Sequence, residues 1–396
     1  MTTSALKTHP RRLDAALSPE SAPRALSIEI VEGRDAFNAL SRDWNAALAL
    51  GPRDEPMLRH EWIRAWIENF APSAPLRVFI ARAGKQLAAA LPLVESRDRS
   101  ADTCFVPLTT WSLPCNDHSQ RGGMMFGPRG AEALPLIFAR LLAEPGWDRL
   151  RLRDLPAGAL EWRLQELAES KGYPCGIWPS LKSPYLALPS RYLEVESHLD
   201  AKFRANLRRR RRRLEEQGAL SYRVVDGSDA AGLDSALADF YSIECSGWKG
   251  RDGTAIAQRP ELVGFYTQLA RDAAKRGALA HGLLESKGQP VAAHLSLVHA
   301  GRAFLLKLGY DESLREYSPG QQLTAEALRD ACARGLREFD FLGPDMPWKD
   351  DWEPALRTHA WLTIFRPTRA GLLVHGARYT VWPLVRALGR RFRKGD

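Results

Sequence analysis

The segment "GKQLAAALPLV", beginning at Gly84, returns 204 residues later as "GQPVAAHLSLV" from Gly288, with the glycine, the alanine pair, two leucines and the valine in register. A second pair follows, "GWDRLRLRDLP" from Gly146 and "GLREFDFLGP" from Gly335. Each copy reads as a turn glycine followed by a strand. A chain that repeats its strand and turn signals at this separation folds as two related units in tandem.

The order of elements around the repeats supports this. The first unit, residues 25–189, reads as strand "LSIEIV", helices over Asp35–Leu50 and Met57–Phe70, and the hairpin "LRVFIARAGKQLAAALPLV". A strand near Phe105–Leu113, a helix over Ala131–Ala143 and a strand over Arg149–Leu155 follow. The second, residues 190–368, reads as a helix over Leu199–Gln217 capped by Gly218, strand Leu220–Val225, and helices Asp229–Cys245 and Glu261–Lys275. Strands Leu279–Glu285, Pro290–His299 and Arg302–Tyr310, helix Gln321–Arg334 and strand Glu338–Leu342 complete it. This predicts an α+β fold with mixed, mainly antiparallel sheets flanked by helices. Residues 1–24, rich in Ser, Pro and Ala without an apolar signal core, read as a disordered lead-in, and 369–396 as a basic amphipathic segment.

Charge narrows the partners. The net charge of +9 is concentrated in six consecutive arginines, Arg208–Arg213, and in the tail from Arg386. The remainder is close to neutral, which points to local anionic contacts and away from a DNA-coating surface. No apolar run approaches the roughly 18 residues of a membrane span. The five cysteines are scattered and form no CxxC pair, which fits a reduced, cytoplasmic setting without a disulfide framework or metal site. Cys245 has no nearby histidine or acid to activate it as a nucleophile.

Several residues stand out on physical grounds. In "YSPGQQLTAEAL" a loop ends at Ser318, Pro319 and Gly320 and a helix begins near Gln321 and Gln322, and a helix N-terminus is an anion site. In the arginine helix, Arg210 and Arg211 share a face with Leu207 and Leu214, so at least one guanidinium needs a partner: Asp340, another acid or a ligand phosphate. The alternative is a solvated basic face balanced by Glu215 and Glu216. His294 replaces the Ala90 of the first copy, a polar group special to the second. Asp340, between Phe339 and Phe341 in a central strand, must be paired, with Lys307, His294 or an arginine as candidates. "GPDMPWKDDW" supplies a loop with Asp345, Trp348 and Lys349, of a kind that lines clefts. The tail places Val381, Leu384, Val385, Leu388 and Phe392 opposite its arginines, which suits either docking on the body or peripheral contact with an anionic membrane.

The stretches "FRANLRRRRRRLEEQG", "GQPVAAHLSLVHAGRAFLLKLGYDE", "YSPGQQLTAEAL" and "FDFLGPDMPWKDDW", with "LPCNDHS" in the first half, resemble the GNAT acyltransferase superfamily. They are similar in particular to tandem-GNAT proteins of the CelD/BcsL-like type associated with cellulose and exopolysaccharide. The resemblance implies acetyl-CoA or another acyl-CoA as donor, an amine or hydroxyl acceptor such as a saccharide precursor, and no metal. It implies that Ser318–Gln322 hold the pyrophosphate, although only one glycine of the family's Arg/Gln-x-x-Gly-x-Gly/Ala pattern is kept. Backbone groups at Leu308 and Gly309 would bind pantetheine and the oxyanion. Tyr310 would protonate the thiolate, His294 or Asp340 would assist deprotonation, and Arg210, Arg211, Lys307, Asp311, Asp345, Trp348 and Lys349 would contact substrates. The first domain, whose matching stretch "FGPRGAEALPLIF" lacks the Ser-Pro-Gly-Gln-Gln loop, would be a degenerate copy that shapes the cleft. Fem-type aminoacyltransferases share this layout, and with them comes an alternative donor, aminoacyl-tRNA. A non-catalytic accessory protein of a polysaccharide assembly is a third reading.

Overall fold

The computed structural model describes residues 25–382. The lead-in and the last fourteen residues of the basic segment lie outside it. Thirteen strands join one sheet: β1 (Leu26–Glu32), β2 (Leu76–Ala83), β3 (Gln86–Asp98), β4 (Leu108–Ser112), β5 (Met125–Phe126), β6 (Arg149–Pro156) and β7 (Cys175–Ala187) come from the first half. From the second come β8 (Leu220–Val225), β9 (Leu279–Ser286), β10 (Gln289–His299), β11 (Arg302–Tyr310), β12 (Glu338–Asp340) and β13 (Ala355–Phe365).

The repeat seen in sequence is a repeat in space. Gly84 and Gly288 turn the hairpins β2–β3 and β9–β10 at φ 65° and 72°, and Gly146 and Gly335 precede β6 and β12 at φ 88° and 68°. All four occupy the left-handed region that glycine enters without a Cβ penalty.

The strand order is β1-β2-β3-β4-β6-β13-β7-β12-β11-β10-β9-β8, with β5 added to β3. The series is palindromic. In each half an antiparallel meander ends in one parallel pair, β4–β6 or β11–β12. The last strands are exchanged: β13 pairs with β6 of the first half, β7 pairs with β12 of the second, and β7 and β13 pair with each other. Neither exchanged strand was anticipated from sequence. β7 carries Pro179 and Pro184 and alternates poorly, and prolines normally argue against a central strand.

Helices cover both faces. Gly130–Ala143 buries Leu134, Ile137, Phe138 and Leu141 against Phe79, Trp111 and Leu150. On the other face His60–Phe70 and its counterpart Pro260–Ala274 pack together across the halves, with Trp62 and Phe70 meeting Phe265 at ring distances of 5.6 and 5.0 Å. The arginine helix spans Ala201–Gln217 and is capped by Asp200, whose side chain accepts from the Phe203 N–H. Gly218 caps its C-terminus as expected, its N–H donating to the Glu215 carbonyl at 3.1 Å. Its backbone is extended, at φ 164°.

Candidate active site

The site forms where a strand pair separates. β11 and β12 are paired only from Arg302–Glu338 to Phe304–Asp340. β11 then runs on beside β10 to Tyr310, while the chain after β12 turns away through Leu342 and Gly343 at φ 51° and 60°. A bulge between Leu305 and Lys307 adds twist at the point of separation. Beyond it, among the described residues, no strand pairs with the outer edge of β11, and that edge lines a cleft. The cleft has a volume of about 610 Å³ and is walled by Leu305–Tyr310 on one side and Phe341–Pro344, Met346, Trp348 and Lys349 on the other.

The helix Pro319–Ala333 closes one end. Its first residue is a proline, and Ser318 before it adopts φ 51°. Ser318 thus takes the left-handed conformation at the position where the resembling pattern has glycine. Ser318 and Gly320 both line the cleft, and Arg210 donates to Ser318 Oγ at 2.7 Å. Arg315 joins them in the lining. A positive helix end with two guanidinium groups is suited to a phosphate-bearing ligand. Gln321 donates to the Trp348 carbonyl and to Asp351 and accepts from Trp352 Nε1, so it braces the opposite wall.

Lys349 occupies the floor. It is buried and donates to the carbonyls of Leu342 and Pro344 at 2.6 and 2.8 Å. Burial pulls its ammonium group down to about 8. Beside it lies Gln120 of the first half, in a left-handed conformation at φ 66°, and Asp117 from the same loop also reaches the lining. His118, between them, bonds Tyr266 Oη at 3.0 Å, and burial with the nearby Lys307 lowers it to about 4.

The two halves are not equivalent here. In the first half, the segment after β4 folds back over β6, with Leu113 donating to the Arg151 carbonyl and Gly122 to that of Asp154. A Cβ on Gly122 would lie 2.1 Å from the Arg153 oxygen, so backbone fills the space that is open in the second half.

Of the residues singled out from sequence, the cleft gathers Lys307, Leu308, Gly309, Tyr310, Ser318, Gly320, Gln321, Arg210, Trp348 and Lys349. It does not gather His294. That ring is buried within the sheet, its two nitrogens bonded to Tyr222 Oη at 3.1 Å and Ser296 Oγ at 2.9 Å, and desolvation lowers it to about 3. Asp340 is also buried away from the lining. It pairs with Arg121 and with Arg357 at 2.8 Å and accepts from the Leu342 N–H, so Lys307, His294 and the arginine run are not its partners. Arg211 is held by Glu326 and Glu215 outside the cleft, and Gln322 bonds the Leu207 carbonyl. Asp311 caps the short turn after β11, Pro319 is buried at the helix start, and Asp345 is exposed beyond the lining.

The arginine run is divided. Arg210 and Arg211 are half-buried and the other four exposed, as the shared face with Leu207 and Leu214 predicts. Arg208 and Arg213 also find acids, Glu196 and Glu316. Sequence reasoning missed Arg315, Asp117, Gln120 and Glu244 in the lining. Arg315 opens the Arg-x-x-Ser-x-Gly variant of the family pattern and was legible. Gln120 reaches the cleft only through contact between the halves.

Among known proteins, the acetyltransferase (GNAT) domain family matches residues 201–350. No curated protein matches the chain in sequence. Among solved structures, FemX is similar at 11% identity and a TM-score of 0.55, over 84% of this chain and 96% of that one. The C-terminal domain of a protein described as a lysylphosphatidylglycerol synthetase from Agrobacterium fabrum is similar at 13% identity and a TM-score of 0.53, over 86% of this chain and 96% of that one. The separated strands, the bulge and the N-terminus of the helix Pro319–Ala333 all fall inside the matched stretch. Residues 201–350 thus match the acetyltransferase (GNAT) domain family, within an α+β chain whose first half repeats the topology of the second.

Proposed function

We propose that the chain is an acyl-CoA-dependent acyltransferase that moves an acyl group, with acetyl the first to test, onto an amine or hydroxyl. The observation that carries this is the cleft opened where β11 and β12 separate, lined by the outer edge of β11 and closed by a positive helix end. Ser318, Gly320, Arg210 and Arg315 would take the pyrophosphate, and the backbone at Leu308 and Gly309 on the cleft edge of β11 would bond the amides of the pantetheine arm. The acceptor heteroatom attacks the thioester carbonyl carbon, the C–S bond breaks, and the thiolate receives a proton from Tyr310; the proton that the acceptor loses passes to cleft water, which reprotonates the Tyr310 phenolate. Lys349, cationic and fixed by two carbonyls, would stabilise the developing oxyanion.

The units 25–189 and 190–368 serve different roles in this reading: the second holds the donor, and the first, with its own cleft filled, delivers Asp117 and Gln120 to the acceptor side. The CelD/BcsL-like resemblance makes a saccharide or exopolysaccharide precursor the first acceptor class to test. The unpaired cysteines support a cytoplasmic site of action. Calorimetry of the whole chain with acetyl-CoA and with free CoA tests the donor. Gly320→Asp puts a carboxylate at the helix end, where a Cβ sits 3.1 Å from the Tyr310 ring. It should weaken CoA binding by more than about tenfold, because it opposes charge with charge at a helix terminus. Unchanged affinity in the folded variant would sink the phosphate assignment. Activity that requires charged tRNA in place of acyl-CoA would move the donor to the Fem-type class.

A further inference from the structure

The last described helical segment turns an apolar face to solvent. Arg369–His375 and the wider turn Gly376–Val381 that continues it bury Gly371 and Val374, with Tyr379 against Phe365. Outward stand Leu372, Leu373, Val381 and Trp382, which are 49%, 60%, 56% and 52% exposed. No charged residue is among the exposed positions from Leu372 to Trp382. Arg378 is turned the other way, to Asp102 at 2.9 Å. That pair ties the helix to the loop carrying Phe105, which is 65% exposed.

The exposed charged groups around this face include three arginines, while the nearby acids Asp98 and Asp148 are engaged by Arg149 and by Thr368. Arg369, Arg97 and Arg99 are exposed, and Arg99 donates to the Phe105 carbonyl. The acid of the loop, Asp102, is taken up by Arg149, Arg151 and Arg378. In sequence, the chain continues from Pro383 with five basic residues and one acid. Exposed Trp, Phe and Leu beside arginines match a lipid headgroup boundary, where rings and aliphatic chains enter the interface and cations meet phosphate. A second copy docked on this face would bring like-charged segments together. No described helix is long and apolar enough to cross a membrane, so the contact would lie along the surface.

We propose that this face, Leu372, Leu373, Val381 and Trp382 with Phe105, docks the protein on an anionic lipid bilayer. The test is co-sedimentation of the full chain with vesicles of phosphatidylcholine alone and of phosphatidylcholine with phosphatidylglycerol, at low and high salt. Leu373→Ser combined with Trp382→Ser changes two exposed side chains, and an unchanged unfolding midpoint confirms that the fold survives. The expected result is sedimentation with the anionic vesicles, weakened by high salt and by at least about tenfold in the double variant. Several results would overturn the proposal: no sedimentation, equal sedimentation with neutral vesicles, or an undiminished double variant. A double variant that alters only the oligomeric state in analytical ultracentrifugation would assign the face to a second copy instead.

Discussion

Arg121→Ala removes a guanidinium from the buried network that joins the halves. Arg121, on the first-half loop, pairs with Asp340 of β12 and lies 3.2 Å from Glu55. All three side chains are essentially buried. Burial alone would raise Glu55, yet Arg121, Arg53 and Arg302 hold it at about 2. After the substitution Asp340 keeps Arg357 and Glu55 keeps Arg302, so neither acid is stranded. The loss should therefore fall near the lower end of the about 3–5 kcal/mol typical of a broken buried pair. With an unfolding entropy of about 2.1 cal/mol/K per residue over the whole chain, that corresponds to a midpoint about 4 °C lower. Differential scanning calorimetry should show one transition, displaced as a whole, because β7 and β13 tie each half into the other. Two transitions with only one displaced, or a shift below about 1 °C, would refute the coupling argued here.

Acid should destabilise the fold in two stages. His60, His118 and His359 are lowered to about 4, and His294 to about 3, chiefly by burial. Unfolding restores the ordinary value near 6.5, so the unfolded chain binds more protons below it and stability falls as the pH drops from about 6.5 toward 4. Glu55 adds a second loss below about 4.5, toward its folded value near 2, and unfolding midpoints measured against pH would reveal both. Arg210→Ala should weaken CoA binding severalfold by calorimetry, because it removes the guanidinium at Ser318, whereas Arg212→Ala on the exposed face should leave it unchanged. CoA should bind once per chain, in the second half. Two equivalent sites in a titration would contradict the filled first-half cleft.

The fold was legible wherever local signals decided it. Turn glycines and alternating strands marked both hairpins, and strands β8 and β11 begin and end at the residues expected for them. β7 and β13 were missed because their place in the sheet is set by partners far along the chain, and the prolines of β7 disguise it. The cleft wall from Lys307 to Gln321 was legible because strand end, loop and helix start lie within that one short stretch. His294 misled the reading. A polar residue in one copy of a repeat signals a local difference, and here the difference is a buried bond to Tyr222 and Ser296. Asp340 was rightly read as needing a partner, but the guanidinium came from Arg121, in the other half and outside any local pattern.

The strand exchange also has a mechanical consequence. Two domains joined by a linker can open and close about a hinge, and many enzymes admit their ligands that way. Here twelve strands run edge to edge through both halves, and the junction is the antiparallel pair β7–β13. Bending at that junction would break backbone hydrogen bonds in the middle of a continuous sheet. That junction resists bending, and a ligand of the cleft would have to enter past its rims: the turn Glu312–Tyr317, the segment around Met346 and the first-half loop bearing Asp117.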